Sequence, residues 1–489
     1  MEVSGIPAKV IVEFFQESPV SKLSRVLLWG LWSVGLSVGI SVSLSVPASA
    51  QDIPLPPPIS KATQVERLRH QAEQEVYLTP DRYDLRRYPL TPEYEAHWRR
   101  NLWATALREP DFPELETAFE TILPLSFVSS LTETEQRILE MTLQVSYQFY
   151  GRSDRWRDRL GSQFEEIVTW SPHPRWVAMA ISALGARENP DRQVWIDLVK
   201  TRLPTLIQHG DETDRLLLDL TLRDLEKPVL PEEAIEEWLE WQIAPGELQL
   251  FVFCGPDRSQ LCQTLLKDGQ GRWISDALTG RVWSVPLAGR SLHGLPWYLS
   301  RGETPQGVYR LEGFIPQPDT DFFYAYGFFP LVNLFVPQEP GVENFIPSHP
   351  GTIDTLEEYQ TLLPPRWRSV LAAQESYWAG QLGRGLFRIH GTGEATNFFV
   401  NNDRFPRLKG WNPAIGCLSA QEIYDDRGNF IDGDMPKILE ALERAQNPTA
   451  SPVLRARPVT GYIIVLNVTD PQAIVERVRD LVTSDPLPI

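Results

Sequence analysis

The chain has 489 residues and a formal net charge of −18, with 64 acidic against 46 basic side chains. That balance excludes a nucleic-acid binder, which needs a basic face, and argues against docking onto anionic lipid headgroups. The length provides for two or three domains, each with enough chain to bury a core.

Lys22 and Arg25 precede an uncharged run, Val26 to Val46, closed by Pro47-Ala48-Ser49-Ala50. Small residues at Ala48 and Ala50 fit signal-peptidase cleavage before Gln51, so residues 1–50 read as a signal peptide. The same run is long enough to span a bilayer if it stays uncleaved; only then does the chain hold a membrane. Glu2, Glu13 and Glu17 balance Lys9, Lys22 and Arg25, so the mature chain keeps the whole negative charge. The expected location is outside the cytoplasm, in the periplasm or cell envelope. Residues 51–61, proline-rich and without apolar pattern, read as an extended linker.

From 62 to 243 the pattern is helix after helix. Thr132 and Glu135 form a capping-box signature before a stripe of Ile138, Met141, Val145 and Phe149. Trp176, Met179, Ala180, Ala183 and Leu184 give the next apolar face. Asn189-Pro190 predicts an N-cap with proline at the first helical position, and Val194, Trp195, Leu198 and Val199 inward. Leu216, Leu217 and Leu220 follow, then Pro231 to Trp241 with Ala234, Ile235, Trp238 and Leu239 inward. Short helices with proline-containing joints suggest a solenoid-like stack, although no fixed period recurs. Such a half either binds a protein partner or packs against the C-terminal half.

At Ala244-Pro245-Gly246 the character changes. Leu248 to Phe253 alternates as a strand, and Arg281 to Val285, Val308 to Phe314 and Gly461 to Val468 are further strands. Asp470-Pro471 caps a last helix to Leu481. Residues 317–381 form a long connection with a helix expected from Leu356 to Tyr377, interrupted at Pro364-Pro365; such connections are often lids or binding loops. Trp297, Trp367, Trp378 and Trp411 are either core or a stacking surface for a glycan. The acid pairs Glu357-Glu358 and Asp425-Asp426 read as solvated faces.

Three cysteines make an odd count for an exported chain. Cys254 and Cys262 are close enough in sequence to bridge one hairpin in an oxidising compartment, which leaves Cys417 unpaired. A lone cysteine is often a small buried hydrophobe. Here Gly416 precedes it, and a strand-like run, Leu386 to Ile389, delivers His390 to the turn Gly391-Thr392. A thiol with an imidazole in reach supports nucleophilic catalysis, because the base generates the attacking thiolate. Other chemistries lack their residues. There is no HExxH or zinc-spaced Cys/His cluster, no GxSxG elbow, and Gly391-Thr392-Gly393 lacks the lysine of a phosphate loop. His293-Gly294 is a conceivable second base without a nucleophile near it in sequence.

Thr304 to Leu311 (TPQGVYRL), His390 to Thr392 (HGT) and Gly416 to Ser419 (GCLS), in that order, resemble the catalytic domain of L,D-transpeptidases, the YkuD-like fold, over Leu248 to Val468. Ala414 and Ile415 stand where the family has Ser/Thr and a second His, and Ser419 stands where Arg or Asn is usual. The resemblance implies a multidomain α + β protein, with an all-α domain over 62–243 and a mostly β, YkuD-like catalytic domain over 244–489. It implies acyl transfer on peptidoglycan stem peptides through a thioester, with Cys417 as nucleophile and His390 as base. Gly416, Gly391, Thr392 and Ser419 then surround the substrate or oxyanion, and no metal or organic cofactor is needed. The altered residues around Cys417 leave a second reading, a non-catalytic envelope protein binding peptidoglycan or a partner through its helical half. If Gln51 is the mature start, N-terminal sequencing of a periplasmic fraction will begin QDIPLPPP; a membrane-bound form beginning at Met1 would reject cleavage.

Overall fold

In the computed structural model, residues 62–186, 189–227, 234–276, 279–317, 327–392, 402–446 and 458–484 are described, and they belong to one compact unit. The expected leader and linker lie outside them, as does the start of the helix expected from Pro231. No helix among the described residues is long and apolar enough to cross a membrane. The fold is mixed α+β, with thirteen α-helices and two five-stranded sheets among the described residues.

The first nine helices are α1 (Gln64–Glu75), α2 (Glu95–Arg108), α3 (Pro113–Ile122), α4 (Glu133–Tyr150), α5 (Asp154–Trp170), α6 (Pro174–Leu184), α7 (Arg192–Leu206), α8 (Glu212–Glu226) and α9 (Ile235–Glu240). At the start of α4 the Thr132 hydroxyl accepts the Glu135 N–H and the Glu135 carboxylate accepts the Thr132 N–H, at 3.2 and 2.8 Å. Two orphan donors of the first turn are thereby satisfied. Helix α6 is buried along its whole length except at Arg175, and α4, α5, α7 and α8 all touch it. A helix apolar all round belongs inside a bundle. Helix α6 thus takes its contacts from the two helices on either side of it in the chain.

Two local expectations need correction. Helix α7 begins at Arg192, not at Pro190: the Asn189 side chain instead donates to Leu184 O and accepts the Asp191 N–H, a turn that competes with capping. The buried stripe of this helix runs through Ile196, Val199 and Leu206, and Val194 is 62% exposed.

Beyond α9, strands β1 (Leu248–Cys254), β2 (Cys262–Lys267), β3 (Pro286–Leu287), β4 (Gly307–Glu312), β5 (Phe314–Ile315) and β6 (Leu331–Leu334) lead to α10 (Leu356–Gln360) and α11 (Glu375–Gln381). Then come β7 (Phe387–Thr392), β8 (Leu418–Tyr424), β9 (Phe430–Gly433), α12 (Met435–Gln446), β10 (Thr460–Asn467) and α13 (Pro471–Ser484). The first sheet runs β3-β2-β1-β10-β4 and the second β5-β6-β7-β8-β9. Only β1–β10 and β7–β8 are parallel. Strand β1 is buried at every position, so it lacks the exposed face that its alternation predicts, and β10 is buried at all but its two ends. Leu250, Val252, Tyr309 and Leu311 of the first sheet share a core with Val332, Phe387, Ile389 and Leu418 of the second. The strand expected over 308–314 breaks at Gly313, and its two parts join different sheets. Arg281 to Val285 forms no regular strand, only a bridge from Val282 to Ser275. The helix expected over Leu356–Tyr377 is cut into α10, two 3₁₀ turns and the start of α11, because Pro364 and Pro365 lack N–H donors. A disulfide joins Cys254 to Cys262 across the β1–β2 hairpin.

The helical half and the sheets are fastened together. The helical core continues into Leu292, Leu295, Trp297, Tyr298 and Leu299. Lys227, just past α8, reaches Glu375 of α11 at 3.0 Å and Asp224 at 2.6 Å. Burial opposes the ammonium charge, but these two carboxylates outweigh it and hold Lys227 above its ordinary value. Replacing Lys227 by Met leaves the buried Glu375 carboxylate without its counter-ion. We expect a loss of about 3–5 kcal/mol in urea-unfolding stability, partly restored by adding Glu375→Gln. An unchanged unfolding midpoint in Lys227→Met would show that the pair does not tie the halves.

Candidate active site

Strand β7 alternates Phe387, Ile389 and Gly391 toward the core with Arg388, His390 and Thr392 on the other face. Its parallel neighbour β8 pairs Leu418 with Ile389 and Ser419 with His390. Cys417, one residue before β8, is thereby carried to the imidazole although 27 positions separate them in the chain. Both side chains are half-buried, and Cys417 is a free thiol.

The imidazole is oriented by its own strand. His390 Nδ1 lies 2.9 Å from Gly391 O. A carbonyl only accepts, so Nδ1 carries a proton there, and Nε2 is left to receive one from the thiol. Burial works against charge on both groups, but their mutual hydrogen bond and charge overcome it. The Cys417 thiol is lowered from its ordinary value by His390 and then Arg388; the His390 imidazole is raised by Cys417, the Gly391 carbonyl and the Glu422 carboxylate. This is the environment that populates a thiolate–imidazolium pair.

Backbone geometry sets the thiol. Leu386 has φ 61°, a left-handed conformation unusual for a leucine, and its carbonyl accepts from Cys417 Sγ at 3.7 Å. The Glu339 carboxylate holds Leu386 in place by accepting its N–H at 3.0 Å. Gly416 has φ 128°, and a Cβ there would meet the Phe387 ring, the Arg384 guanidinium and Gly302 O at 3.1–3.2 Å. Only glycine fits. The Thr304 hydroxyl donates to Gly416 O at 2.6 Å, and Leu292 N donates to Ala414 O at 2.7 Å. These two bonds pin the loop that delivers Cys417.

The remaining predicted residues divide. Gly391 lies beside the pair. Thr392 is buried, and its Oγ1 accepts the Asn412 N–H at 3.3 Å, fastening the segment that leads to Cys417. Ser419 corrects the expectation of a substrate contact: on the inner run of β8 it is 1% exposed, its backbone exchanges two bonds with Ala288, and its Oγ reaches neither solvent nor a partner. Beside the thiol the surface is aliphatic instead, with Leu386 73% and Ile415 40% exposed.

Trp297 and Trp367 are core side chains whose indole N–H groups donate to Asp224 and Ala234 O. Trp378 and Trp411 pack half-buried against the helical core. Neither arrangement makes a stacking platform. Glu358 caps α10, and Asp425 accepts N–H groups of the β8–β9 turn. His293 is buried against Gln148 of α4, and burial pushes it down to about 3, so it is no base at neutral pH. Among the described residues no cluster of His, Cys, Asp or Glu side chains is placed to hold a metal ion. A cavity of about 290 Å³ lies behind Thr304, lined by Lys227, Arg258, Arg290, Glu303 and Glu375. It is not at the thiol.

Thr304, Leu386, Glu339 and Glu422 were not among the residues expected at the site. Thr304 opens the TPQG motif; the others are placed by contacts between segments distant in the chain, which no local pattern encodes. No family model, curated protein or solved structure matches the chain.

Thr304→Val keeps the side-chain shape and removes the donor to Gly416 O. A carbonyl losing its buried partner should lower stability by about 1–3 kcal/mol, with slower iodoacetamide labelling of Cys417 as its loop loosens. Stability and labelling rate both equal to wild type would show that this hydrogen bond does not hold the thiol.

Proposed function

We propose that this protein is an exported, cysteine-dependent L,D-transpeptidase that acts on peptidoglycan stem peptides. The observation that carries the reading is the pairing of the Cys417 thiol with a His390 imidazole whose other nitrogen is committed to Gly391 O. In this reading Cys417 Sγ gives its proton to His390 Nε2 and attacks the carbonyl of the diamino-acid residue. N–H groups at Gly416 and Cys417 stabilise the oxyanion. The tetrahedral intermediate collapses as the terminal D-alanine nitrogen takes the proton from His390 and leaves, so a thioester remains. An amine from a second stem then attacks the thioester carbonyl and gives a proton to His390, the Cys417 thiolate departs, and a cross-link forms. Water in place of the amine gives hydrolysis.

A YkuD-like sheet arrangement fits a thiol at the head of one parallel strand and a histidine on its neighbour. The buried Ser419 and the aliphatic Ile415, where the family has polar groups, favour a second reading, an envelope protein that binds stem peptides or a protein partner without turnover.

Incubation with disaccharide-tetrapeptide, scored for acyl-enzyme, released D-alanine and dimer by mass spectrometry, separates the two. Wild type should form the thioester, Cys417→Ala none, and His390→Ala should form it roughly 10²–10⁴ more slowly. Acylation persisting in Cys417→Ala would falsify the nucleophile assignment, and no turnover of any stem peptide by wild type would favour the binding protein.

A further inference from the structure

The thiol–imidazole pair leaves one nearby group unused. Glu422 sits on β8 with no exposure to solvent, on a strand whose neighbouring inward positions are Leu418 and Ala420. Its Oε2 accepts the Phe328 N–H and the Tyr424 hydroxyl, each at 2.7 Å. Its Oε1 has no hydrogen-bond partner among the described residues. A carboxyl oxygen left bare in the interior is costly, so its position asks for a reason. The bare oxygen rests on the Gly391 α-carbon, so closely that a Cβ at Gly391 would run into it. Gly391 is the residue whose carbonyl fixes His390 Nδ1. The carboxyl thus backs the peptide that orients the base, and a residue without a side chain is what lets it approach.

We propose that Glu422 is a positioning residue of the Cys417–His390 pair: its carboxylate bears on the Gly391 peptide and lends the imidazolium the negative charge that favours it. This inference rests on the thiol–imidazole reading of the site and goes beyond it by adding a third group. The charged and titratable groups that act on Glu422 are Tyr424 on its own strand and Arg67 on α1, and Glu422 in turn acts by its charge on His390 of β7. Those that weigh most on Cys417 are His390 and Arg388, so Glu422 acts on the thiol through the imidazole. Burial lifts the Glu422 carboxyl to about 7, against the Tyr424 hydroxyl, the Phe328 and Phe329 N–H groups and Arg67. Above that value the carboxylate is charged and supports the imidazolium, and hence the thiolate; below it the support is withdrawn.

Cys417 is the one thiol outside the disulfide, so iodoacetamide uptake by the intact, non-reduced chain reports on it alone. The experiment is its alkylation rate against pH in wild type, Glu422→Gln and Tyr424→Phe, with circular dichroism to confirm folding. Wild type should show a midpoint below that of a free thiol. Glu422→Gln, isosteric but neutral, should raise the midpoint by about half to one unit, a roughly three- to tenfold slower reaction at neutral pH. Tyr424→Phe, which removes a donor to the carboxylate and touches neither Cys417 nor His390, should shift it the same way by less, and stands as the test if Glu422→Gln does not fold. A low wild-type midpoint that neither variant moves overturns the role of Glu422 and leaves the pair intact. A wild-type midpoint at the free-thiol value overturns the pair, and this inference with it.

Discussion

One buried carboxylate holds the parts of this molecule in register. Glu375 accepts the Gln306 N–H at 2.8 Å, the Gln306 side-chain amide at 3.0 Å and the Lys227 ammonium at 3.0 Å. Gln306 in turn accepts the Asn467 N–H with its Oε1, and its carbonyl accepts Ser376 N, both at 2.8 Å. The end of the helical bundle, the start of α11, the end of β10 and the segment before β4 therefore meet at one point. An interior charge with this many donors is stable only while every donor is present. Two residues before Gln306, Thr304 holds the carbonyl of Gly416. The geometry of the loop that carries Cys417 is thus inherited from a contact between the two halves, and the helical half is part of the scaffold of the site.

The site itself is made largely of backbone. A left-handed leucine aims a carbonyl at the thiol, a glycine at φ 128° allows the loop to pass under an arginine, and a main-chain oxygen orients the imidazole. Strained or unusual backbone persists only where the surroundings over-determine it. Here Glu339 fixes Leu386, and Thr304 fixes the loop at Gly416. Side-chain chemistry is then confined to two residues brought together by a parallel pairing.

How much could be read from the sequence depends on how local each signal is. The capping box at Thr132 and the apolar runs of β1 and β10 were legible because each depends on a few consecutive residues. The Cys417–His390 pair was legible through the order of three short motifs, not through any physical pattern. Val194 was misplaced because the face of α7 that turns inward is chosen by the helices packed on it, α5 and α6, and not by the local pattern. Ser419 was misjudged because its depth depends on Ala288, a strand partner more than a hundred residues away. Glu422 left a trace, an acid at an inward position of Leu418-Ser419-Ala420-Gln421-Glu422, but its meaning needed Gly391 alongside.

The order of the first sheet has a consequence for how the molecule comes into being. An interior position, between β1 and β4, is filled by β10, the last strand among the described residues. Pairing Leu248 with Gly461 closes a loop of more than two hundred residues. Contacts of such sequence separation form slowly, since the entropy of closing the loop is lost before the contacts repay it. A ribosome-bound chain can build the helical bundle and pair β1 with β2, but the other edge of apolar β1 stays open until residues 460–467 arrive. Until then one edge of an apolar strand is open, the kind of surface that holding chaperones recognise.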